Sequence, residues 1–423
     1  MKTLGLIFGT IVLFWCTSFG AQFSSEWMYP TASRSLGSWA ATPDSILYDD
    51  ASRCLAANGN DSMCAYGFYP MLPADAIVDS IFVRLDVHST GTTVARRHLR
   101  ISLTADSGVT DCSDRVSDTA DQSTDAVSTV YSGSNTMTNA KWACTATLAQ
   151  MVSRGFGVIV RDSSGGVAKI DYLRLRIVFT SASAHYMTYG RGANECTDAY
   201  LRQDAATTNT SADTFLYVGS TTGIGDAQIG IFNFGKPAKD SIASRTVTRA
   251  YLQLHSYQNS VPARIDSIQF NALRRLDASM TQMTYNIFKT ANNWTTAGAF
   301  NTSSDIYGSL SIYDSSWYLG NARENRLDVT ELLQSLDGAN TDSVLFSLRD
   351  LTTSAGGTKV GVSSADASTA DFRPFLRILT GSSWPGAATP STPPRRRRND
   401  LSMLDKIRIY SFTDKGALQC AGQ

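Results

Sequence analysis

The chain is dominated by short segments in which apolar and polar residues alternate. One runs from Ile77 to Val87, and others cover 99–103, 156–160 and 173–179. A period of two places the apolar side chains on one face, as in a half-buried β-strand. The segments between them are rich in Ser, Thr, Asp and Gly, which favour turns. Residues 24–181 are therefore predicted to form one antiparallel β-sandwich.

A second block, residues 185–380, is equally rich in strand patterns. Leu327 to Leu336 alone has helical spacing, with Asp328 or Thr330 available to cap its start. The predicted fold class is all-β, with two antiparallel, jelly-roll-like β-sandwich domains in tandem. The strands predicted in the second block cover 215–219, 229–234, 248–254, 343–348 and 375–379.

Both ends of the chain differ from these blocks. A basic start, an apolar run from Leu4 to Trp15 and small residues near Gly20 predict a secretory signal peptide over 1–21. The run is shorter than the roughly 20 residues that cross a bilayer, so export without a transmembrane segment is expected. Residues 381–423 hold several prolines and the run Arg395–Arg398, and are predicted to form a disordered Pro/Arg-rich linker and short C-terminal segment.

Composition narrows the function classes. Lysine plus arginine equals aspartate plus glutamate at 37 each, so the formal net charge is zero, which argues against a nucleic-acid partner. Only four of the acidic residues are glutamates, and aspartate favours turns over helix surfaces. Helical bundles and coiled coils are therefore excluded as the main architecture.

The seven cysteines fit an exported protein. Cys16 would leave with the signal peptide, and the six that remain are expected to form disulfides in an oxidising compartment. Cys196 and Cys420 either pair with each other or stay free. Two disulfides are predicted, one across a polar loop and one within the first domain: Cys54–Cys64 and Cys112–Cys144.

Both blocks resemble known β-sandwich modules. The segment Tyr69–Ile81, with the later strands of residues 24–181, resembles a module of phage tail and secreted bacterial proteins. The second block resembles the DNRLRE-type β-sandwich, which is related to carbohydrate-binding modules. This resemblance implies a polysaccharide-binding sandwich with Trp294 in its core. The motifs that carry it occur in order, and are Asp198–Leu201, Tyr217–Gly219, Phe232-x-Phe234, Ala250–Leu254, Trp294, Asp328–Thr330 and Arg373–Ile378.

Catalytic signatures are missing from the sequence. It has no Gly-x-Ser-x-Gly elbow, no phosphate-binding loop and no His-Glu-x-x-His. Glu331 is best interpreted as a charge at the start of the predicted helix. No catalytic residue is assigned, and the protein is expected not to be an enzyme.

Sugar binding without catalysis needs aromatic faces flanked by polar groups. Asp198 is a candidate ligand for a structural calcium ion, the one cofactor that the sequence suggests, although turn hydrogen bonds are the favoured role for its carboxylate. The candidate carbohydrate-binding aromatics are Tyr257, Tyr313, Trp317 and Tyr318.

These observations lead to one main hypothesis. The chain is expected to be a secreted or cell-surface-attached, non-catalytic protein whose second sandwich binds an extracellular polysaccharide or a cell-surface component. The alternative is a self-assembling structural subunit of a surface layer, an appendage or a viral particle. A polysaccharide-degrading enzyme ranks third. Fold analogy cannot choose among them.

Overall fold

The fold is taken from a computed structural model of the chain. The residues that it describes are 21–37, 54–55, 61–89, 95–96, 99–113, 116–118, 121–122, 127–132, 142–162, 168–192, 195–219, 227–243, 245–259, 267–274, 279–299, 301, 303–313, 323–336, 343–350 and 359–381. All but the last residue of the predicted signal peptide, and all but the first residue of the predicted Pro/Arg-rich segment, lie outside these ranges.

The first block is built of antiparallel strands. Its long central strands match the alternating segments of the sequence closely. The strands are β1 (Ala21–Ser24), β2 (Ala32–Ser35), β3 (Cys54–Leu55), β4 (Ser62–Tyr66), β5 (Ile77–Ser89), β6 (Ala95–Arg96), β7 (Leu99–Thr104), β8 (Val116–Asp118), β9 (Asp121–Gln122), β10 (Val127–Ser132), β11 (Gly157–Asp162) and β12 (Ala168–Ser181).

Two sheets face each other in this block. One has the order β1-β12-β5-β10, with β3 also on β12, and the other has the order β2-β4-β11-β7-β8. Alternate residues from both sheets form one buried apolar cluster, which includes Val83, Leu103 and Leu175. Trp142 is fully buried beside it and donates its indole N–H to the carbonyl oxygen of Ile81 at 2.9 Å. The block is therefore a β-sandwich with a single core.

The second block continues the antiparallel architecture. All but its short hairpin β19–β20 belong to one hydrogen-bonded network of strands. The strands are β13 (His185–Tyr189), β14 (Thr197–Arg202), β15 (Phe215–Gly219), β16 (Gln228–Asn233), β17 (Val247–Asn259), β18 (Ser267–Leu273), β19 (Ile287–Lys289), β20 (Asn292–Asn293), β21 (Ile306–Tyr313), β22 (Arg323–Asp328), β23 (Leu345–Asp350), β24 (Lys359–Ser363) and β25 (Phe375–Thr380).

This network folds over into two layers. One layer has the strand order β14-β16-β23-β18-β21. The other layer is centred on β17. Strands β25 and β24 pair one after the other with one edge of β17, and β22 pairs with the opposite edge. Phe232 and Phe346 from the first layer share a buried cluster with Leu252 and Leu376 from the second. The second block is thus also a sandwich, and the all-β fold class is confirmed.

The layer that contains β14, β16 and β23 is buried on its outer face as well. Leu201, Ile231 and Leu345 point away from the main core and pack against Trp294 and Met283. These two residues belong to the segment 279–299, which comes after β18 and before β21 in the sequence. The segment lies across that outer face. Trp294 is 4% exposed, so it is buried as predicted, but in this outer cluster rather than between the two layers of the sandwich.

Three short α-helices connect the strands of the described chain: α1 (Leu148–Met151), α2 (Gly235–Ile242) and α3 (Thr330–Leu336). The sequence predicted α3, and the Asp328 carboxylate accepts a hydrogen bond from the Thr330 amide at 3.1 Å. Helix α2 was not predicted. It is held by burial of Ile242 and by Lys239, whose ammonium donates to the carbonyl oxygen of Leu336. None of the described helices has the length and apolar character of a membrane span.

The two sandwiches meet through a small apolar junction. Met71 of the first block packs with Tyr251 and Leu379 of the second. The connection between the blocks is held by Asp75, whose carboxylate accepts hydrogen bonds from the Ser181 hydroxyl at 2.8 Å and from the Ser183 amide at 3.1 Å. The chain between the sandwiches is therefore tied back onto the first one.

Candidate functional site

An open cleft of about 470 Å³ lies on the outer side of the second sandwich. One wall comes from the loop after β14 and the other from the segment 279–299. This volume falls within the roughly 300–1,000 Å³ that small-ligand sites enclose. The lining residues are Thr207, Thr284, Asn286, Ile287, Asn293, Trp294 and Ala297.

A tight hairpin shapes the cleft. Strands β19 and β20 pair antiparallel, and Ala291 between them adopts a φ of 62°, the left-handed conformation of a hairpin turn. Trp294 follows the hairpin directly, with its indole N–H donating to the Thr284 carbonyl at 3.1 Å and its ring against Phe288. The buried indole thus anchors the hairpin and exposes only 4% of its surface beside the cleft.

Hydrogen bonds join the two walls. The side-chain amide of Asn209 donates to the carbonyl oxygens of Met280 and Met283, both at 2.7 Å. The backbone amide of Asn286 donates to the carbonyl of Ala206 at 3.3 Å. Because these contacts connect segments more than 70 residues apart, the cleft exists only in the folded second block.

One buried carboxylate binds the backbone at the C-terminal end of the segment 279–299. Asp305 is fully buried and accepts hydrogen bonds from the backbone amides of Thr295, Thr296 and Asn301 at 3.3–3.4 Å. A carboxylate that gathers several amides stabilises a loop without secondary structure. Asp305 therefore supports the residues next to the cleft rather than lining it.

The groups that line the cleft are suited to hydrogen bonds with a neutral, hydroxyl-rich ligand. Amides and hydroxyls come from Asn286, Asn293 and Thr207, and a small apolar surface comes from Ile287 and Ala297. Among the described residues that line the cleft, none is titratable. The cleft can therefore hydrogen-bond a ligand but offers it no general acid or base from this lining.

The predicted aromatic site is not assembled in the described chain. Tyr257 lies on β17, and Tyr313 is the last residue of β21, where it pairs with Ser267. The side chains of both tyrosines lie outside the described residues, as do Trp317 and Tyr318 altogether. These four sugar-binding assignments remain predictions.

Asp198 is a buried carboxylate at 3% exposure. It accepts a hydrogen bond from the Ala365 amide at 2.5 Å, and burial raises its pKa to about 7. Among the described residues, no group of three or more His, Cys, Asp or Glu side chains could hold a metal ion. This contact joins residues 167 positions apart in the sequence, so it is not a local turn hydrogen bond, and calcium at Asp198 remains a prediction.

The predicted disulfides have different geometries. Cys64 is a free, buried thiol on β4, while Cys54 lies on β3, which pairs with β12 in the opposite sheet. The Cys54–Cys64 disulfide is therefore not formed in this structure. Cys112 and Cys144 are also thiols here, but their sulfur atoms lie 2.9 Å apart. Cys196 is a buried free thiol, and Cys420 lies outside the described residues.

The sequence did not reveal the cleft itself. Segment 279–299 lacks both a period of two and a helical period, so its polar residues resemble an ordinary loop. One usable signal was Trp294 between two asparagines and two threonines, since an indole in a polar loop must find a core.

Comparison with known proteins does not identify a family. No protein-family model matches the chain, and no curated protein does. A fucolectin from striped bass (Morone saxatilis) serum is 8% identical, with 87% of this chain and 97% of that one covered, at a TM-score of 0.20. The CBM22 tandem domain of Paenibacillus barcinonensis Xyn10C is 11% identical, with 85% of this chain and 99% of that one covered, at a TM-score of 0.17. PNGase F from Flavobacterium meningosepticum is 9% identical, with 80% and 97% covered, at 0.20. These TM-scores carry no weight for function, and the DNRLRE-type resemblance remains a prediction.

Proposed function

We propose that the protein is a secreted, non-catalytic polysaccharide-binding protein and that the cleft of the second sandwich holds the sugar. The observation that carries the proposal is the lining of this cleft, in which amide and hydroxyl groups of Asn286, Asn293 and Thr207 surround a small apolar floor. Sugar rings present hydroxyls around apolar C–H faces, so they match such a lining.

The absence of titratable side chains from the described lining supports binding over hydrolysis. Glycosidases need two carboxyl groups placed across the scissile bond. The carboxylate of Asp305, which supports the residues next to the cleft, is fully buried and accepts hydrogen bonds from backbone amides. It is therefore a structural group rather than a general acid.

A glycan array probed with the full-length protein tests this function. We expect binding to at least one neutral polysaccharide, and at least tenfold weaker binding by the double variant Asn286→Ala/Asn293→Ala. Both side chains are exposed, so their removal leaves the fold intact.

Asn292→Ala is the matched control, because Asn292 is exposed on the same hairpin and donates only to the local carbonyl of Thr290. Unchanged binding by the double variant would place the sugar elsewhere. No binding to any neutral glycan, together with polymers seen by electron microscopy, would instead favour the structural subunit.

A further inference from the structure

The outer face of the first sandwich carries a band of arginines between aromatic rings. Arg174 and Arg176 lie on β12, and Phe82 and Arg84 lie opposite them on β5. Trp27 and Tyr29 extend the band, because Met28 between them bridges Leu175 and points into the core. We call this set, completed by Tyr172, the arginine–aromatic face.

Two guanidinium groups of this face lie over aromatic rings. Arg176 lies over the rings of Trp27 and Phe82, at 4.8 and 4.7 Å from their centroids. Arg174 lies over Tyr29 at 4.2 Å and over Tyr172 at 4.9 Å. A planar guanidinium that lies over a ring can still donate from its terminal nitrogens to a carboxylate.

The arginines of this face differ in whether a carboxylate neutralises their positive charge. Arg174 and Arg84 face each other directly across neighbouring strands, a pairing of like charges that costs stability in a sheet. Arg174 has an ion pair with Asp371 at 3.5 Å. In the part of the chain that the structure describes, Arg176 has no carboxylate within ion-pair distance, and its Nε atom is buried without a hydrogen-bond acceptor.

We propose that the arginine–aromatic face is a second binding site, specific for the carboxylate groups of an acidic polysaccharide. Arg176 binds the sugar carboxylate, and the rings of Trp27 and Phe82 contact the apolar face of the same sugar unit. This site lies on a different sandwich from the neutral cleft and does not depend on it.

Affinity electrophoresis of the full-length protein in gels with polygalacturonate tests this site. Fully methyl-esterified polygalacturonate is the matched ligand control, since it has the same backbone without the charge. We expect retardation by the acid form alone, and weaker retardation as salt screens the ion pair.

Arg176→Gln should weaken binding to polygalacturonate at least tenfold, because it removes the charge and keeps most of the side chain. Arg176→Lys keeps the charge without the planar fork and should bind with intermediate affinity. Arg202→Gln is the control, since Arg202 already pairs with Asp204 at 2.7 Å. Thermal unfolding of each variant verifies its fold, and competition by free galacturonate on the wild-type protein gives a readout that needs no variant.

Equal retardation of Arg176→Gln and wild type, or equal binding of the methyl ester, would overturn the proposal. The Asn286→Ala/Asn293→Ala variant should bind polygalacturonate normally. A failure of the neutral cleft is therefore distinguishable from a failure of this face.

Discussion

The side-chain nitrogen of Asn209 lies 2.7 Å from the carbonyl oxygen of Met283 and joins the two walls of the cleft. The same amide group reaches the carbonyl of Met280, so a single side chain satisfies two loop carbonyls. A loop segment without regular hydrogen bonding needs such partners for its backbone. The shape of the proposed sugar site therefore depends on a residue that does not line it.

Replacing Asn209 should loosen this cleft. Asn209→Ala removes both hydrogen bonds and leaves two carbonyls without their donor, which should lower the free energy of unfolding by about 1–3 kcal/mol. Affinity for the neutral glycan should also fall. Chemical unfolding measures the change in stability, and a binding titration measures the change in affinity. Asn292→Ala, on an exposed turn, should change neither quantity. A variant with wild-type stability would show that the wall contacts are dispensable.

The cysteines Cys112 and Cys144 should form a disulfide in protein exported to an oxidising compartment. The bond would close a loop of about 30 residues, which should add about 3–4 kcal/mol to the free energy of unfolding. Mass spectrometry of unreduced peptides should detect the pair, and Cys112→Ser/Cys144→Ser should unfold at lower denaturant concentration. Wild-type protein measured in a reducing agent is the matched control, because reduction opens the disulfide without changing a side chain. Unaltered stability of the double variant would argue that the two thiols remain reduced.

The buried Asp198 should make stability depend on pH. Its pKa is raised by burial to about 7 in the fold, against about 3.9 in an unfolded chain, so the folded state holds the proton more tightly. The stability that this tighter proton binding gives to the folded state is fully present below pH 4 and is lost as the pH rises through 7.

Asp198→Asn removes the titration while the amide can still accept from Ala365. It should therefore be more stable than wild type at pH 8 by up to about 4 kcal/mol, and nearly equal to it at pH 4. Urea unfolding at both pH values measures the difference. A constant difference between the two proteins at both pH values would contradict this assignment.

The connection between the sandwiches should depend on Asp75. Its carboxylate accepts from the hydroxyls of Ser181 and Ser183 and from the amides of Ala182 and Ser183. Asp75→Ala should lower the free energy of unfolding by about 1–3 kcal/mol and expose the connection to protease. Limited proteolysis followed by mass spectrometry locates the cut.

Asp204→Ala is the control for this experiment, because Asp204 has a solvent-accessible ion pair with Arg202. Loss of such a pair should cost less than about 1 kcal/mol and leave the connection resistant. If Asp75→Ala resists protease as wild type does, the apolar junction at Met71 and Tyr251 holds the sandwiches together without the carboxylate.

The sequence alone determined the class of fold and most of its long strands. Alternation in 77–87 and 173–179 became β5 and β12, and the helical spacing near Leu333 became α3, because side-chain periodicity dictates which residues share a face. The order of motifs in the second block likewise led to Trp294 as a buried residue, although not to the outer cluster that holds it.

Only the tertiary structure decided where binding groups meet. Thr207 and Asn286 face one cleft because segment 279–299 folds across a sheet whose strands are distant in sequence. Arg176 and Trp27 stack because β12 lies beside the chain that follows β1. Periodicity assigns a side chain to a face but is silent on which distant segment covers that face, and contacts of long sequence separation set both sites.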